Sequence, residues 1–153
     1  MVIKTAQYLW ALPLTLFGFC LALCTGTFDR KQRFIVIKNA QTAIVFIVYG
    51  AILQALLKRH PFGNMQAVSV GCCILAQDAD CTRSSLVHEL VHVQQALRWG
   101  LLFPIAYLLA SLWAWARGGH MYRDNRFEVA AYAAQDNAMD NAIDNVANNQ
   151  APQ

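Results

Sequence analysis

Long apolar stretches dominate the hydrophobic pattern of this chain. The first runs from Ala6 to Phe28 without a charged residue, which meets the roughly 20 residues that a helix needs to cross a bilayer. The pattern therefore predicts a transmembrane segment or signal anchor at residues 1–28. Whether this segment is retained or removed as a signal peptide stays open, because Lys4 and the small residues near Cys24 also suit a cleavable leader.

Two further segments, 42–57 and 101–116, are apolar on every face. Both are slightly short of the roughly 20 residues of a transmembrane helix. We interpret segment 42–57 as a helix, either buried in the core or forming a marginal second span. Pro104 and the limited length of segment 101–116 favour a helix that lies in the core or dips into the bilayer.

Shorter patterns predict strands and a tail. The β-branched run at residues 33–38 is typical of a strand, and residues 66–77 predict a strand or hairpin that pauses at Gly71. At the other end, residues 139–153 are rich in Asp, Asn and Ala. We expect this polar tail to be partly helical and its last residues to be disordered.

Two more helices are expected between the strands and the tail. The first spans Thr82 to Trp99, with Asp80 or Thr82 as the N-cap and Gly100 at its end. The second begins at Asn125 and reaches about Asp136. The sequence therefore predicts an α+β fold, mainly α, in which residues 29–138 form one domain behind the N-terminal segment.

Composition and charge place this domain at a membrane. The 153 residues suit one domain, and 57% are hydrophobic while only 14% are charged, against roughly 45–50% and 25% in soluble proteins. No basic run alternates with aromatic residues, so we expect membrane lipid and no nucleic acid as a partner. One lysine precedes the first apolar segment and four basic residues follow it, which predicts that the domain faces the cytoplasm: Arg30, Lys31, Arg33 and Lys38.

The five cysteines do not suggest a disulfide framework. Their number is odd and no C-x-x-C pair occurs among them. We interpret them mainly as buried apolar thiols. A bridge from Cys72 or Cys73 to Cys81 stays open if the domain lies in an oxidising compartment.

The segment His88-Glu89-Leu90-Val91-His92 carries the clearest candidate chemistry. On a helix, residues four apart differ by about 40° in rotation, so His88 and His92 present two imidazoles to one side. Neutral imidazole suits zinc, and Glu89 lies off the ligand line, where it can act on a zinc-bound water as general base. The alternative is that all three are ordinary polar residues of a helix.

Glu128 is the preferred third ligand. It shares a helical face with the small residue Ala131, which lets two helices approach closely. A catalytic zinc normally has three protein ligands. The competing interpretation is a capping box, in which Glu128 folds back onto the backbone of Asn125; His120, and after it His60, would then be the rival ligands.

Six further residues could support the site. Tyr122, Tyr132, His120 or Arg123 could donate to the oxyanion of a tetrahedral intermediate. Asp124 and Gln95 are candidate acceptors for the second nitrogen of a ligand imidazole. Each also has a plain structural interpretation, such as packed tyrosines or an Arg123–Asp124 ion pair.

The run His-Glu-Leu-Val-His-Val-Gln-Gln, followed by Asn-Arg-Phe-Glu-Val-Ala-Ala-Tyr, resembles the small gluzincin-type zinc metallopeptidases over about residues 80–135. The resemblance implies a zincin-like helix pair, with zinc on His88, His92 and Glu128 and with Glu89 as general base. We therefore expect a membrane-associated zinc metallopeptidase acting on a peptide or protein. The alternatives are a zinc hydrolase of a non-peptide substrate and a non-catalytic zinc-binding membrane protein.

Overall fold

Helices dominate the computed structural model, which describes residues 5–29, 31–38, 44–60 and 63–150. This confirms the predicted α+β, mainly α, class. The described elements are the helices α1 (Thr5–Gly26), α2 (Ala51–Lys58), α3 (Ala79–Trp99), α4 (Phe103–Ala116) and α5 (Arg126–Gln150), and the strands β1 (Arg33–Lys38), β2 (Ile44–Tyr49), β3 (Ala67–Val70) and β4 (Cys73–Ala76).

The four strands form one sheet in the order β1-β2-β4-β3. β2 runs antiparallel to β1 and parallel to β4, and β3 and β4 form an antiparallel hairpin at the opposite edge. The predicted strand at 33–38 and the predicted hairpin are both confirmed. Gly71 lies in the hairpin turn with a φ of 62°, where a side chain would be strained and would also meet Thr15 of α1.

The predicted helix at 42–57 is wrong, because its described part divides at Gly50 into β2 and α2. β2 is a central strand, and Val45, Ile47 and Val48 are buried in it. A central strand with a parallel neighbour is apolar on both faces, so its sequence does not alternate and cannot be told from a buried helix by periodicity. Its isoleucines, valines and aromatic residues favour the extended form. Residues 42 and 43 lie outside the described part.

α3 and α4 follow one another with a short break. Asp78, which precedes both predicted N-cap residues, caps α3 by accepting a hydrogen bond from the Cys81 N–H at 2.8 Å. As predicted, α3 ends at Gly100, whose φ is 54°. A 3₁₀ turn then leads into α4, where Pro104 occupies the first turn and its missing N–H leaves no bond unmade.

α1 packs across the end of the sheet at the β3–β4 turn. A stripe of small side chains on one face is buried, and the hydroxyl oxygen of Thr15 accepts a hydrogen bond from the Cys72 N–H at 3.0 Å. Ala11 joins the cluster of core residues that includes Val93 of α3, whereas Ala22 joins a second cluster with Leu53 of α2. The predicted membrane segment is therefore also a packed part of the domain.

Among the residues that the structure describes, two helical segments are long and apolar enough to cross a membrane. Thr5–Gly26 has 22 residues and a mean hydropathy of 1.8, and Ala79–Ala116, which contains α3 and α4, has 38 residues and a mean hydropathy of 1.5. Gly100 interrupts the second segment. Because α3 exposes the charged residues Asp80, Arg83 and Arg98, whereas α1 carries no charged residue, α1 is the better candidate for a span.

α5 is longer than predicted. It continues through residues 139–150, which we expected to form a polar tail, and alanine, the strongest helix former, recurs along it. The predicted disorder at the end of the chain falls on residues 151–153, which lie outside the described part. The cysteines at 72, 73 and 81 are free thiols, so the bridge left open by the sequence is not formed.

Candidate metal site

The three predicted ligands converge between α3 and α5. The Nε2 atoms of His88 and His92 lie 3.0 Å apart. The Oε2 atom of Glu128 lies 3.2 Å from the first of them, and its Oε1 atom lies 3.3 Å from the second. All three side chains are buried, with residue exposures of 6%, 8% and 3%.

Gln95 determines which nitrogen of His92 faces the cluster. Its Nε2 donates to the Phe127 carbonyl at 3.0 Å, so its Oε1 atom faces the His92 Nδ1 at 2.8 Å. An amide oxygen only accepts, so Nδ1 carries the proton. In neutral His92 the Nε2 lone pair then points toward the Glu128 carboxylate, an arrangement that is stable only with a cation or proton between them.

The distances fit a metal ion. A tetrahedral ion with bonds of about 2.0–2.1 Å places its ligand atoms roughly 3.3 Å apart. The two imidazole nitrogens are 3.0 Å apart, and each lies at a similar distance from a different oxygen of Glu128, 3.2 Å from Oε2 and 3.3 Å from Oε1. Apart from its 3.2 Å contact with the His88 Nε2 atom, the Oε2 atom of Glu128 is buried without a hydrogen-bond partner in the described part of the chain. Such a group is costly unless something else binds it. The buried cluster of His88, His92 and Glu128 could therefore hold a metal ion.

The charges of the cluster keep Glu128 ionised. Burial alone would raise the pKa of Glu128, but hydrogen bonds from His88 and His92 outweigh it and lower that pKa well below its usual value. Burial alone would lower the pKa of His92, but the hydrogen bond to Glu128 and its charge outweigh it and raise the pKa. Glu128 is therefore held ionised at the centre of the cluster.

The capping alternative for Glu128 does not hold. The Asn125 N–H donates to the Tyr122 carbonyl at 3.1 Å, and the Asn125 side-chain oxygen caps the helix by accepting from the Phe127 N–H at 2.9 Å. Both groups of the proposed box are thus satisfied without Glu128. Its carboxylate instead accepts a 2.6 Å hydrogen bond from the Tyr107 hydroxyl of α4.

Glu89 lies beside the ligand cluster and outside it. Its residue is 5% exposed, and its Oε2 atom accepts a 2.6 Å hydrogen bond from the Ser69 hydroxyl of β3. Burial raises the pKa of Glu89, and the hydrogen bond from Ser69 offsets only part of this effect. A carboxylate with a raised pKa beside this candidate metal site is suited to accept and return a proton.

A cleft of about 320 Å³ opens beside His88 and Glu89. Two of the predicted supporting residues, Tyr122 and Tyr132, lie in its wall. The Tyr132 ring packs edge-on against the His88 ring, with 4.6 Å between their centroids. The complete lining is Asn64, Met65, Gln66, Ala67, Ser85, His88, Glu89, Tyr122, Tyr132 and Gln135.

The other predicted residues lie in an exposed turn between α4 and α5. The Nδ1 atom of His120 accepts hydrogen bonds from the Tyr122 and Arg123 N–H groups at 3.1 and 3.2 Å. Asp124 accepts from the His120 N–H at 2.6 Å and does not contact a ligand imidazole. His120, Arg123 and Asp124 therefore shape this turn, and neither His120 nor His60 belongs to the ligand cluster.

Two contacts to the site were not predicted. Tyr107 and Ser69 bind Glu128 and Glu89 from elements outside the motif helices. A signal for the first was present, because Tyr107 and Ser111 are the two hydroxyl-bearing residues of segment 101–116 and lie one turn apart. Both face Asn125, which donates to the Tyr107 carbonyl and to the Ser111 hydroxyl.

Comparison with known proteins does not extend this description. No family model, no curated protein and no solved structure matches the chain. The functional argument therefore depends on the site itself.

Proposed function

We propose that this chain is a membrane-associated zinc metallopeptidase. The observation that carries the proposal is the convergence of two imidazoles and one carboxylate, spaced for a tetrahedral ion, next to a buried carboxylate and an open cleft. Two histidines and a glutamate are a ligand set of catalytic zinc. The gluzincin-type resemblance of the two motif helices supports the same assignment.

The residues around the cluster have distinct tasks in this proposal. Bound zinc would lower the pKa of a water molecule to about 7 and polarise a carbonyl group. Glu89 accepts the proton of the attacking water and returns it to the leaving amine. Tyr122 and Tyr132 line the same cleft, and in this proposal their hydroxyl groups donate to an oxyanion.

The free edge of the sheet favours a peptide substrate. β3 is the edge strand on the cleft side, and residues 66 and 67 line the cleft. The Gln77 N–H donates to the Gln66 carbonyl, so these two residues form a hydrogen-bonded pair. In an antiparallel ladder such pairs alternate with pairs that are not hydrogen-bonded, so the N–H and C=O groups of Ala67 and Ser69 point away from β4. An extended peptide could add to this edge through main-chain hydrogen bonds.

Membrane association is part of the proposal. α1 is long and apolar enough to cross a bilayer, and Leu9, Leu16 and Phe17 on its outer face are more than half exposed in the isolated chain. Three basic residues that follow α1 support a domain on the cytoplasmic side: Lys31, Arg33 and Lys38.

Replacement of Glu89 by Gln tests the catalytic role. The purified full chain would be incubated in detergent with a library of internally quenched fluorescent peptides, and zinc content would be measured on the same samples. We expect Glu89→Gln to retain zinc and to lose turnover by roughly 10²–10⁴-fold, since general-base catalysis contributes about this much.

Asp80→Asn provides the matched control, because it makes the same chemical change at another carboxylate of the same helix. Asp80 is exposed in the first turn of α3, and its replacement should leave both zinc and turnover unchanged. Peptide cleavage that survives in Glu89→Gln would refute the assigned role. Bound zinc with no turnover in the wild type would support the non-catalytic alternative.

A further inference from the structure

The outer face of α4 is an exposed apolar stripe. At 100° per residue its members cover a sector of roughly 160° around the helix axis, and an exposed apolar patch of this kind marks an interaction site. The opposite face holds Tyr107 and Ser111, which bind residues of α5. The stripe consists of Ile105 (58% exposed), Leu108 (56%), Leu109 (61%), Leu112 (42%), Trp113 (65%) and Trp115 (65%).

Two arginines border this stripe. The Arg117 guanidinium lies 5.3 Å from the centre of the Trp113 ring. The Arg126 guanidinium lies 4.8 Å from the centre of the Phe127 ring and 5.7 Å from that of the Trp99 ring, beside the stripe. Both arginines are exposed, and neither forms a salt bridge with a carboxylate in the described residues. Arg126 and Trp113 line a groove of about 410 Å³ whose wall also includes Asp124, and that carboxylate accepts the His120 N–H.

The dimensions and charges match the surface of a bilayer. The 14 residues of α4 extend about 21 Å, which is too short to cross a hydrocarbon core of about 30 Å. Tryptophan rings and arginine side chains are both suited to the headgroup region. The stripe itself carries no carboxylate, so a symmetric contact of this face with a second copy would offer the two arginines no stripe residue of opposite charge.

We propose that α4 lies in the plane of an anionic bilayer surface, with its apolar stripe among the acyl chains and with Arg117 and Arg126 against lipid phosphates. Because Tyr107 on its inner face binds Glu128, docking holds the ligand cluster directly below the membrane surface. The proposal extends the membrane association given above and depends neither on zinc nor on turnover.

Quenching of tryptophan fluorescence by brominated lipids tests this surface. The full chain is reconstituted in bilayers that contain either brominated phosphatidylglycerol or brominated phosphatidylcholine. The double variant Trp113→Phe/Trp115→Phe lacks both tryptophans of the stripe, so the quenching that it loses relative to wild type is the contribution of the stripe. We expect the stripe to bind bilayers with phosphatidylglycerol more strongly than bilayers with phosphatidylcholine alone. The ratio of the two affinities should fall roughly fivefold in Arg117→Gln and again in Arg126→Gln, because each basic residue near an anionic surface contributes an effect of this size.

Two variants separate charge from other effects. Arg117→Lys/Arg126→Lys keeps the positive charges and should keep the lipid preference. Arg83→Gln removes an exposed arginine in the first part of α3, far along the chain from α4, and should leave the preference unchanged. The Glu89→Gln chain should show wild-type lipid quenching, so the result does not depend on whether the proposed peptidase activity exists.

Several results would overturn the proposal. Equal quenching by the two lipids, or an equal loss in Arg83→Gln, would remove the role of the two arginines. Strongest quenching by bromine at the ends of the acyl chains would show that α4 is inserted deeply. An absence of lipid quenching, with a dimer that Leu109→Gln converts to monomer, would assign the stripe to a second copy of the chain.

Discussion

In the candidate site, His92 and Glu128 are each oriented by a neighbouring side chain. Gln95 is held by the Phe127 carbonyl and directs the Nε2 atom of His92 toward the cluster. Tyr107 holds one oxygen of Glu128 from the other side. Because partners of this kind determine both the tautomer and the angle of a ligand, they contribute to metal affinity without touching the ion.

Tyr107→Phe should weaken metal binding without abolishing it. Removal of the hydroxyl frees Glu128 Oε1 and leaves the ring in place, so we expect zinc affinity to fall roughly 10–100-fold, as for other partners of metal ligands. Competition with a chelating dye at fixed pH measures this affinity.

Tyr132→Phe provides the matched control. Its ring packs on His88, and within the described residues its hydroxyl makes no direct hydrogen bond to Glu128 like that of Tyr107. This variant should retain wild-type zinc affinity. If both phenylalanine variants bound zinc as tightly as the wild type, the Tyr107 contact would not orient Glu128.

The sequence predicted which three side chains converge better than it predicted what surrounds them. His88 and His92 could be paired because four residues of a helix make about one turn. Glu128 meets this pair only because α5 packs against α3, and the spacing of residues along the chain does not predict that packing. Ser69 lies on an edge strand and contacts Glu89 only because α3 crosses that strand. No local sequence pattern predicts this contact.

Among the elements, α1 departs most from its expected role. The apolar pattern predicted an anchor outside the domain, but the helix presents small side chains at Ala11, Gly18 and Ala22 to the sheet and a large apolar surface to its surroundings. A β carbon at Gly18 would lie 2.8 Å from the Cys73 β carbon and 2.9 Å from the Val70 carbonyl oxygen. Close packing at this point therefore requires glycine.

Gly18→Leu should destabilise the whole domain. The new side chain would force α1 away from the β3–β4 turn, and we expect the free energy of unfolding to fall by about 1–3 kcal/mol, the usual effect of overpacking a core. Chemical denaturation in detergent, followed by near-ultraviolet circular dichroism, measures the change.

Cys20→Leu introduces the same side chain on the exposed face of the same helix. It should leave the stability of the domain unchanged, because that face does not pack on the sheet. An equal effect of the two substitutions, or none in either, would mean that α1 is an independent anchor. Sequence could not distinguish these cases, because small residues along an apolar helix also occur where two membrane helices meet.

In the whole molecule, the candidate site is where three helices meet the edge of the sheet. α3 supplies two candidate ligands and the candidate base, and α5 supplies the third candidate ligand. The hydroxyl groups that hold the two carboxylates come from α4 and β3. The fold class followed from the sequence because long apolar runs and short β-branched runs differ in length and composition. The division of segment 42–57 into a strand and a helix did not follow from the sequence, because a buried central strand and a buried helix are equally apolar.

The central claim is that His88, His92 and Glu128 hold one zinc ion. Zinc content by mass spectrometry of the full chain, purified in detergent from zinc-supplemented cells, tests it most directly when wild type is compared with His92→Ala and Glu128→Ala. The matched control is His120→Ala, which removes an exposed histidine outside the cluster.

We predict about one zinc per wild-type chain and per His120→Ala chain, and almost none in the other two variants, since a catalytic zinc site normally needs all three protein ligands. A wild-type chain without zinc would contradict the account. So would a Glu128→Ala chain that retains as much zinc as the wild type.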